Sequence, residues 1–346
     1  MGEVMLRFDP GDTRIRTARS FSVWEGGGEY NVMRGLKKCF RMKTSILTGI
    51  PHSELGTLLE DLISQGGVDL SHAVRFPYDG IGASHRQGLN FVEKGFGIRG
   101  ALGVSDRSHT AASAVSPDDF DFHKIFVEEG SRWFHCGGIF TALSDSAAES
   151  AASAMKAAKR AGTIVSYDLN YRPSLWKSRG GLQRAQEINR ELVKYVDVLI
   201  GNEEDFSTSL GFSLPDVSKE SIHTEAYTSM MKQVSTCYPD IKAIATTLRE
   251  VKSASFNNWS ALLSYNGEIY ESIGWKDLEI YDRVGGGDSF ASGLIYGFLS
   301  GKTPQQCVDY GAAHGALAMT TPGDTSMASL EEVASLVTGG SARVQR

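Results

Sequence analysis

The stretch Asp282-Arg283-Val284-Gly285-Gly286-Gly287-Asp288-Ser289-Phe290-Ala291-Ser292-Gly293-Leu294-Ile295 decides how the chain is read. Three consecutive glycines separate a short extended segment from an apolar helix. Without a Cβ, glycine tolerates positive φ and lets backbone come close to a ligand. The first amides of the following helix lack intrahelical partners and lie at its positive end, which makes the turn an anion site. Asp288 stands at the mouth of that site, where a bound phosphate would repel it. Two readings account for an acid there. One is a helix cap, a position that aspartate favours. The other is a general base that takes a proton from a hydroxyl attacking the γ-phosphate.

Outward from this turn, strands alternate with helices. The pattern predicts a strand at 2–8, a helix from the Gly26-Gly27-Gly28 turn to about 40, a strand at 44–49 and an amphipathic helix over 56–65 closed by Gly66-Gly67. Further strands are expected at 132–136, 164–168, 198–200, 241–246 and 259–265. Helices are expected from the Ser144-Asp145 cap to 161, over 182–195 and around Met230-Met231. Such alternation argues for an α/β fold with a mostly parallel central sheet flanked by helices. Two stretches break the pattern. Residues 13–24 are polar and β-leaning, and 74–113 are rich in glycine and arginine with short strand candidates such as 89–93. Both are expected as small excursions from one domain spanning 1–338, with 339–346 a loose tail.

The 346 residues are 41% hydrophobic and 22% charged, ordinary for a globular protein. A net charge of −6 disfavours a nucleic-acid partner, which needs a basic face. No apolar run reaches the length of a membrane span and no secretion signal opens the chain, so a cytoplasmic location is expected. The four cysteines, Cys39, Cys136, Cys237 and Cys307, lack paired spacing, and the eight histidines lack metal-ligand spacing. Gly297 to Thr303 imitates a Walker A loop but is one residue short and follows a helix instead of a strand.

In parallel sheets, ligands bind beyond the carboxyl ends of the strands. Asp168, Asn170 and Arg172 follow one strand, Asn202-Glu203-Glu204-Asp205 the next, and Thr246 and Thr247 sit at a third. That clustering favours the catalytic reading of Asp288. In Gly27-Gly28-Glu29-Tyr30-Asn31 the acid and the amide suit the hydroxyls of a polyol. Arg107 and Arg172 can each pair with a carboxylate or phosphate, with a surface ion pair as the competing reading for Arg107. The acids at 203–205 either hold Mg²⁺ through its waters or complement a helix dipole, and both readings stay open.

Several motifs in the right order resemble those of the ribokinase-type (PfkB) carbohydrate kinases, and within them the 2-keto-3-deoxygluconate kinase branch. They are Asp282 to Asp288, Gly27 to Asn31, Gly2-Glu3-Val4-Met5-Leu6-Arg7, Asp168 to Arg172, Gly201 to Asp205, Thr247-Leu248-Arg249-Glu250 and Thr321-Pro322-Gly323-Asp324. The resemblance implies a ribokinase-like fold in which 13–24 and 74–113 supply a small β-sheet lid. It implies Asp288 as the base, with Gly285, Gly286 and Gly287 offering amides to the transferred phosphoryl group. Gly27, Gly28, Glu29, Asn31, Asn90, Arg107, Asp168, Arg172 and Asp324 would grip a sugar acid. Asn170, Asn202, Thr247, Arg249, Gly285, Gly287 and His314 would serve ATP, and Glu204 and Asp205 would hold Mg²⁺ through water. ATP and Mg²⁺ are the implied cofactors, with a monovalent cation as a further candidate, and a homo-oligomer is the expected state. The branch often carries a tyrosine where Asn90 stands, and the run 95–100 departs from its pattern.

The expected reaction is ATP-dependent phosphorylation of 2-keto-3-deoxygluconate at its terminal C6 hydroxyl. The alternatives are the same chemistry on another sugar or sugar acid, and a silent paralogue that binds a sugar acid without turning it over. A nicotinamide dehydrogenase would need a Gly-x-Gly-x-x-Gly turn after the first strand, which the chain lacks.

Overall fold

A computed structural model describes residues 1–212 and 224–340. Its strands, in chain order, are β1 (Met5–Asp9), β2 (Ser22–Gly26), β3 (Gly49–Pro51), β4 (Val74–Phe76), β5 (Leu89–Glu93), β6 (Leu102–Asp106), β7 (Trp133–Gly137), β8 (Ile164–Asp168), β9 (Val198–Ile200), β10 (Ala243–Val251), β11 (Phe256–Tyr265), β12 (Glu268–Glu271) and β13 (Trp275–Glu279). In the main sheet β7, β8, β9 and β10 pair in that order, all parallel. β11 returns antiparallel along the whole of β10, from Ala243↔Tyr265 to Val251↔Asn257. β12 and β13 both pair antiparallel with β11. The parallel half is therefore the one read from the sequence, and an antiparallel ribbon extends it.

Alternation of side chains along each strand builds two cores. Val165, Tyr167, Leu199 and Ile244 point to one face, and Val198, Ile200, Ala243 and Ala245 to the other. Each fully buried aliphatic side chain contributes roughly 1.5–3 kcal/mol. The helices Asp145–Arg160 and Thr224–Cys237 cover the first face. The former begins where Ser144 Oγ accepts from the Ala147 amide at 2.9 Å, and its alanines Ala147, Ala151, Ala154 and Ala158 are fully buried. The helices Gly28–Lys38, Gly286–Leu299 and Pro304–Ala318 cover the second face. Glycines let the last two touch through their backbones: a Cβ on Gly293 would stand 2.4 Å from the Tyr310 carbonyl oxygen, and one on Gly297 2.8 Å from Cys307 Cα.

A separate four-stranded sheet has the order β2-β1-β5-β6, with β1 and β5 parallel and the outer pairs antiparallel. Parts of both irregular stretches, 22–24 and 89–106, join it, but 74–76 instead pairs with β3 outside it. The first strand belongs to this small sheet. Leu6 packs with Val4, Tyr30, Ile46, Ile50 and Leu59 beneath it. Of the tail expected at 339–346, residues 341–346 lie outside the described ones. Among the described residues no helix is long and apolar enough to cross a membrane.

Candidate active site

The glycine turn at 285–287 is dictated by its surroundings. Gly285 has φ +79°, and a Cβ there would lie 1.9 Å from the Asp324 carbonyl oxygen, so no other residue fits. Gly285 is itself the N-cap of the Gly286–Leu299 helix, and the Ser289 amide makes the first helical bond to its carbonyl at 2.9 Å. The amides of residues 286–288 therefore have no intrahelical acceptor. Gly287 is exposed, and a Cβ on it would meet nothing within 4 Å. This is a cradle open to an anion.

Asp288 lies inside the first helical turn and caps nothing. Its Oδ2 accepts from Asn31 Nδ2 at 2.7 Å. Its Oδ1 is 3.6 Å from where a Cβ on Gly28 would be, and Asn170 Nδ2 is 3.9 Å from the same point. The two glycine turns and the loop after β8 thus meet around one carboxylate. Burial pushes that carboxyl up to about 6, the Asn31 hydrogen bond and the charge of Arg172 oppose the shift, and the Asp324 charge adds to it. A base with that value is ionised at neutral pH and still able to hold a proton, which suits proton abstraction. Asn31 also organises its own turn, because its Oδ1 accepts from the Gly27 amide at 3.3 Å. Gly27 itself is packed tightly: a Cβ there would stand 2.0 Å from the Glu3 carbonyl oxygen.

Acids crowd the rest of the site. Asp168 ends β8, and burial, then the charges of Asp205 and Asp288, hold its carboxyl well above the usual range. Its Oδ1 accepts from the Asn170 amide at 3.1 Å, which places Asn170 at φ +32°. Glu29 is buried at the start of its helix, and a Cβ on Gly137 would come 2.9 Å from its Oε1. Burial pushes its carboxyl up to about 7. Asp205 is committed elsewhere: its Oδ1 accepts from the Tyr171 amide at 2.8 Å and its Oδ2 from the Asn202 amide at 3.0 Å. Asn202 Oδ1 accepts in return from the Asp205 amide at 2.9 Å, a reciprocal cap of the Glu203–Leu210 helix. At Asp205 the carboxylate caps the first turn of its helix. Glu204 is exposed, and among the described residues no group of three His, Cys, Asp or Glu could hold a metal. A Mg²⁺ ion fits here only as it usually does with nucleotides, on phosphate oxygens and water.

The cations divide. Arg107 donates through Nε and Nη2 to Oε2 of Glu3, at 2.9 Å from Nε, and Glu3 is only 2% exposed. Its ion pair is real, but the partner is buried. Arg172 is exposed; among the described residues its one hydrogen bond runs from Nη1 to the Tyr171 carbonyl at 2.9 Å, while its charge reaches Asp168, Asp205 and Asp288. Thr247 and Arg249 sit on β10 beyond β9, the first half-buried and the second exposed. Asn90 lies on β5 of the small sheet, where its Oδ1 accepts from Ser105 Oγ at 3.1 Å.

Two further expected residues are buried with protein partners. Asp324 was expected on the sugar acid, but its carboxylate is buried against the Arg7 guanidinium. His314 was expected on ATP, but it is fully buried between helices, with Nδ1 2.8 Å from the Ser289 carbonyl and its ring edge-on to Phe40. Arg7 and Asp282 were not singled out by the sequence reading. The available signal was a charge inside the apolar run Met5-Leu6-Arg7-Phe8, since an arginine at such a position is buried only when paired.

Comparison with known proteins gives the family. The model of the pfkB family carbohydrate kinases matches residues 1–331. A 2-dehydro-3-deoxygluconokinase structure from Thermotoga maritima superposes with a TM-score of 0.89 at 36% identity, covering 98% of each chain. A 2-dehydro-3-deoxygalactonokinase of Haloferax volcanii is 27% identical over 346 residues, all of this chain and 98% of its own. A fructokinase with bound ATP from Xylella fastidiosa shares the fold, with a TM-score of 0.74 at 20% identity and coverage of 98% and 97%. By sequence and fold, the chain belongs to the pfkB family of carbohydrate kinases.

Proposed function

We propose that this kinase transfers the γ-phosphoryl group of ATP to the C6 hydroxyl of 2-keto-3-deoxygluconate, giving the 6-phospho sugar acid and ADP. The observation that carries the reading is the Asp288 carboxylate, held by Asn31 in the first turn of the helix that the glycine turn opens, whose leading amides are unpaired. Asp288 takes the hydroxyl proton as the C6 oxygen bonds to the γ-phosphorus and the bond from phosphorus to the β,γ-bridging oxygen breaks. The amides of Gly286 and Gly287 receive the charge that develops on the phosphoryl oxygens. Mg²⁺, when bound with the nucleotide, neutralises its phosphates; Asn202 and Thr247 flank the path to the strand ends where the nucleotide would lie.

An acid substrate is favoured by Arg172, whose guanidinium has no carboxylate partner among the described residues and faces a group of carboxylates. A sugar acid brings an anion that can bond this guanidinium directly, whereas a neutral sugar brings none. The test is ADP release across ketodeoxy acids, aldonates, hexoses and ribose, with the galactonate and gluconate epimers compared directly and K⁺ exchanged for Na⁺. Turnover is expected with ketodeoxy acids, and Arg172→Ala should raise their KM roughly 10- to 100-fold. Equal turnover of neutral hexoses would sink the acid-substrate reading, and tight binding of sugar acids with no ADP release would favour the silent paralogue.

A further inference from the structure

Arg7 has no assigned role, yet among the described residues it makes more ion pairs than any other charge. It lies in the middle of the small sheet, fully buried. Its Nη1 donates to Asp324, and its Nη2 to Asp282 at 2.5 Å and to Asp9 at 3.2 Å. Asp282 opens the glycine turn, and its Oδ1 accepts from the Val284 amide at 3.2 Å. Asp324 follows Gly323 on the opposite side of that turn. Its carbonyl oxygen is the atom that a Cβ on Gly285 would strike. One guanidinium therefore grips both segments between which Gly285 is wedged.

Stability alone does not explain such a cluster. Burying an arginine with three carboxylates carries a desolvation penalty that often cancels the attraction, so a buried pair is weak evidence for a stabilising role. What the planar fork does supply is fixed geometry, because its nitrogens donate along set directions. The neighbours of Arg7 share its orientation. Trp24 and Asn90 are its register partners on β2 and β5, and the Trp24 ring lies 3.4 Å from a Cβ position on Gly323. The sheet face carrying Asn90 is thus ion-paired to the loop carrying the phosphoryl amides.

We propose that Arg7 is a positioning residue for phosphoryl transfer: by clamping the 282–284 segment to the 323–324 segment, it sets the direction of the Gly286 and Gly287 amides. It touches neither substrate, and its effect belongs to the transition state, in which those amides carry charge. This rests on the phosphotransfer reading above.

The experiment compares Arg7→Met, Arg7→Lys and Asp282→Asn with the parent, measuring kcat, both KM values and thermal melting. Arg7→Met should lower kcat roughly 100-fold while both KM values stay within about five-fold, the pattern for lost transition-state donors. Arg7→Lys should recover part of kcat, since a point charge reaches one carboxylate but cannot fork between two. Should Arg7→Met fail to fold, Arg7→Lys and Asp282→Asn carry the test, with kcat losses of roughly 10-fold expected in folded protein. Folded variants whose kcat matches the parent, or whose losses appear only in KM or melting temperature, overturn the proposal. An inactive parent with every acceptor would instead bring down the phosphotransfer reading, so the two failures are distinguishable.

Discussion

Asn31 serves two turns at once, accepting from Gly27 and donating to Asp288, and this double duty makes the base testable through its acidity. Asp288→Asn should lower kcat roughly 10²- to 10⁴-fold while leaving ligand binding, measured by calorimetry, near that of the parent. Because the carboxyl titrates at about 6, kcat/KM of the parent should fall as pH drops through that value. The sign for stability is opposite. A carboxyl raised above its unfolded value favours folding at acid pH, and that contribution is lost as pH rises through about 6. Asn31→Ala removes a hydrogen bond to the charged form, so the acid limb should move to higher pH. A limb that stays in place would mean another group sets it. Asp288 was legible in sequence because three glycines before a helix have few other uses. The place of His314 is not legible, because a histidine in an alanine-rich helix gives no sign of which way it points; here its ring meets the Ser289 carbonyl of the Gly286–Leu299 helix.

At the scale of elements, the site depends on how closely the Gly286–Leu299 and Pro304–Ala318 helices approach. Gly293→Ala would put a Cβ 2.4 Å from the Tyr310 carbonyl oxygen, an atom of the backbone that cannot swing aside. It should destabilise the protein by about 1–3 kcal/mol, read as a lower urea midpoint with unchanged slope. An unchanged midpoint would show that the helix pair has slack. Elements were readable where burial imposes a pattern. The strands at 164–168, 198–200 and 89–93 matched because short apolar runs are bounded there by turn residues. β6 was missed because all five of its residues are exposed, so no alternation of polarity marks it. The expected strand stops short at 246 for a related reason: the outer residues of β10, Arg249, Glu250 and Val251, are exposed, and their backbone register is with β11. The acids at 204–205 show why charge alone leaves more than one reading, since the Asn202–Asp205 capping box and a metal ligand can be spelled with the same residue types.

For the molecule as a whole, the question is how the small sheet is tied to the main body, and the unusual run at 95–100 supplies an answer. The loop between β5 and β6 reaches across to the turn joining β10 and β11. The Ala254 amide donates to the Gly97 carbonyl at 2.8 Å, and the Gly97 amide donates to Ser255 Oγ at 3.0 Å. A Cβ on Gly95 would be 2.8 Å from Ala254 Cβ, so the contact needs a glycine. Lys94 adds its ammonium 4.2 Å above the Tyr281 ring, one residue before the anion turn begins. The sheet that carries Asn90 is therefore latched to the ribbon that carries Thr247 and Arg249. Closure over a phosphoryl donor keeps water from competing as acceptor. Loosening the latch with Lys94→Met and Ser255→Ala together should raise the acceptor KM roughly 3- to 10-fold and increase ADP release without acceptor. Both residues are half-buried and outside the hydrophobic cores, so the variant should melt within a few degrees of the parent. Binding linkage is reciprocal, so the loss should appear equally in how ATP tightens the acceptor and in how the acceptor tightens ATP. If both couplings survive the double substitution, the loop is a surface contact with no part in closing the site.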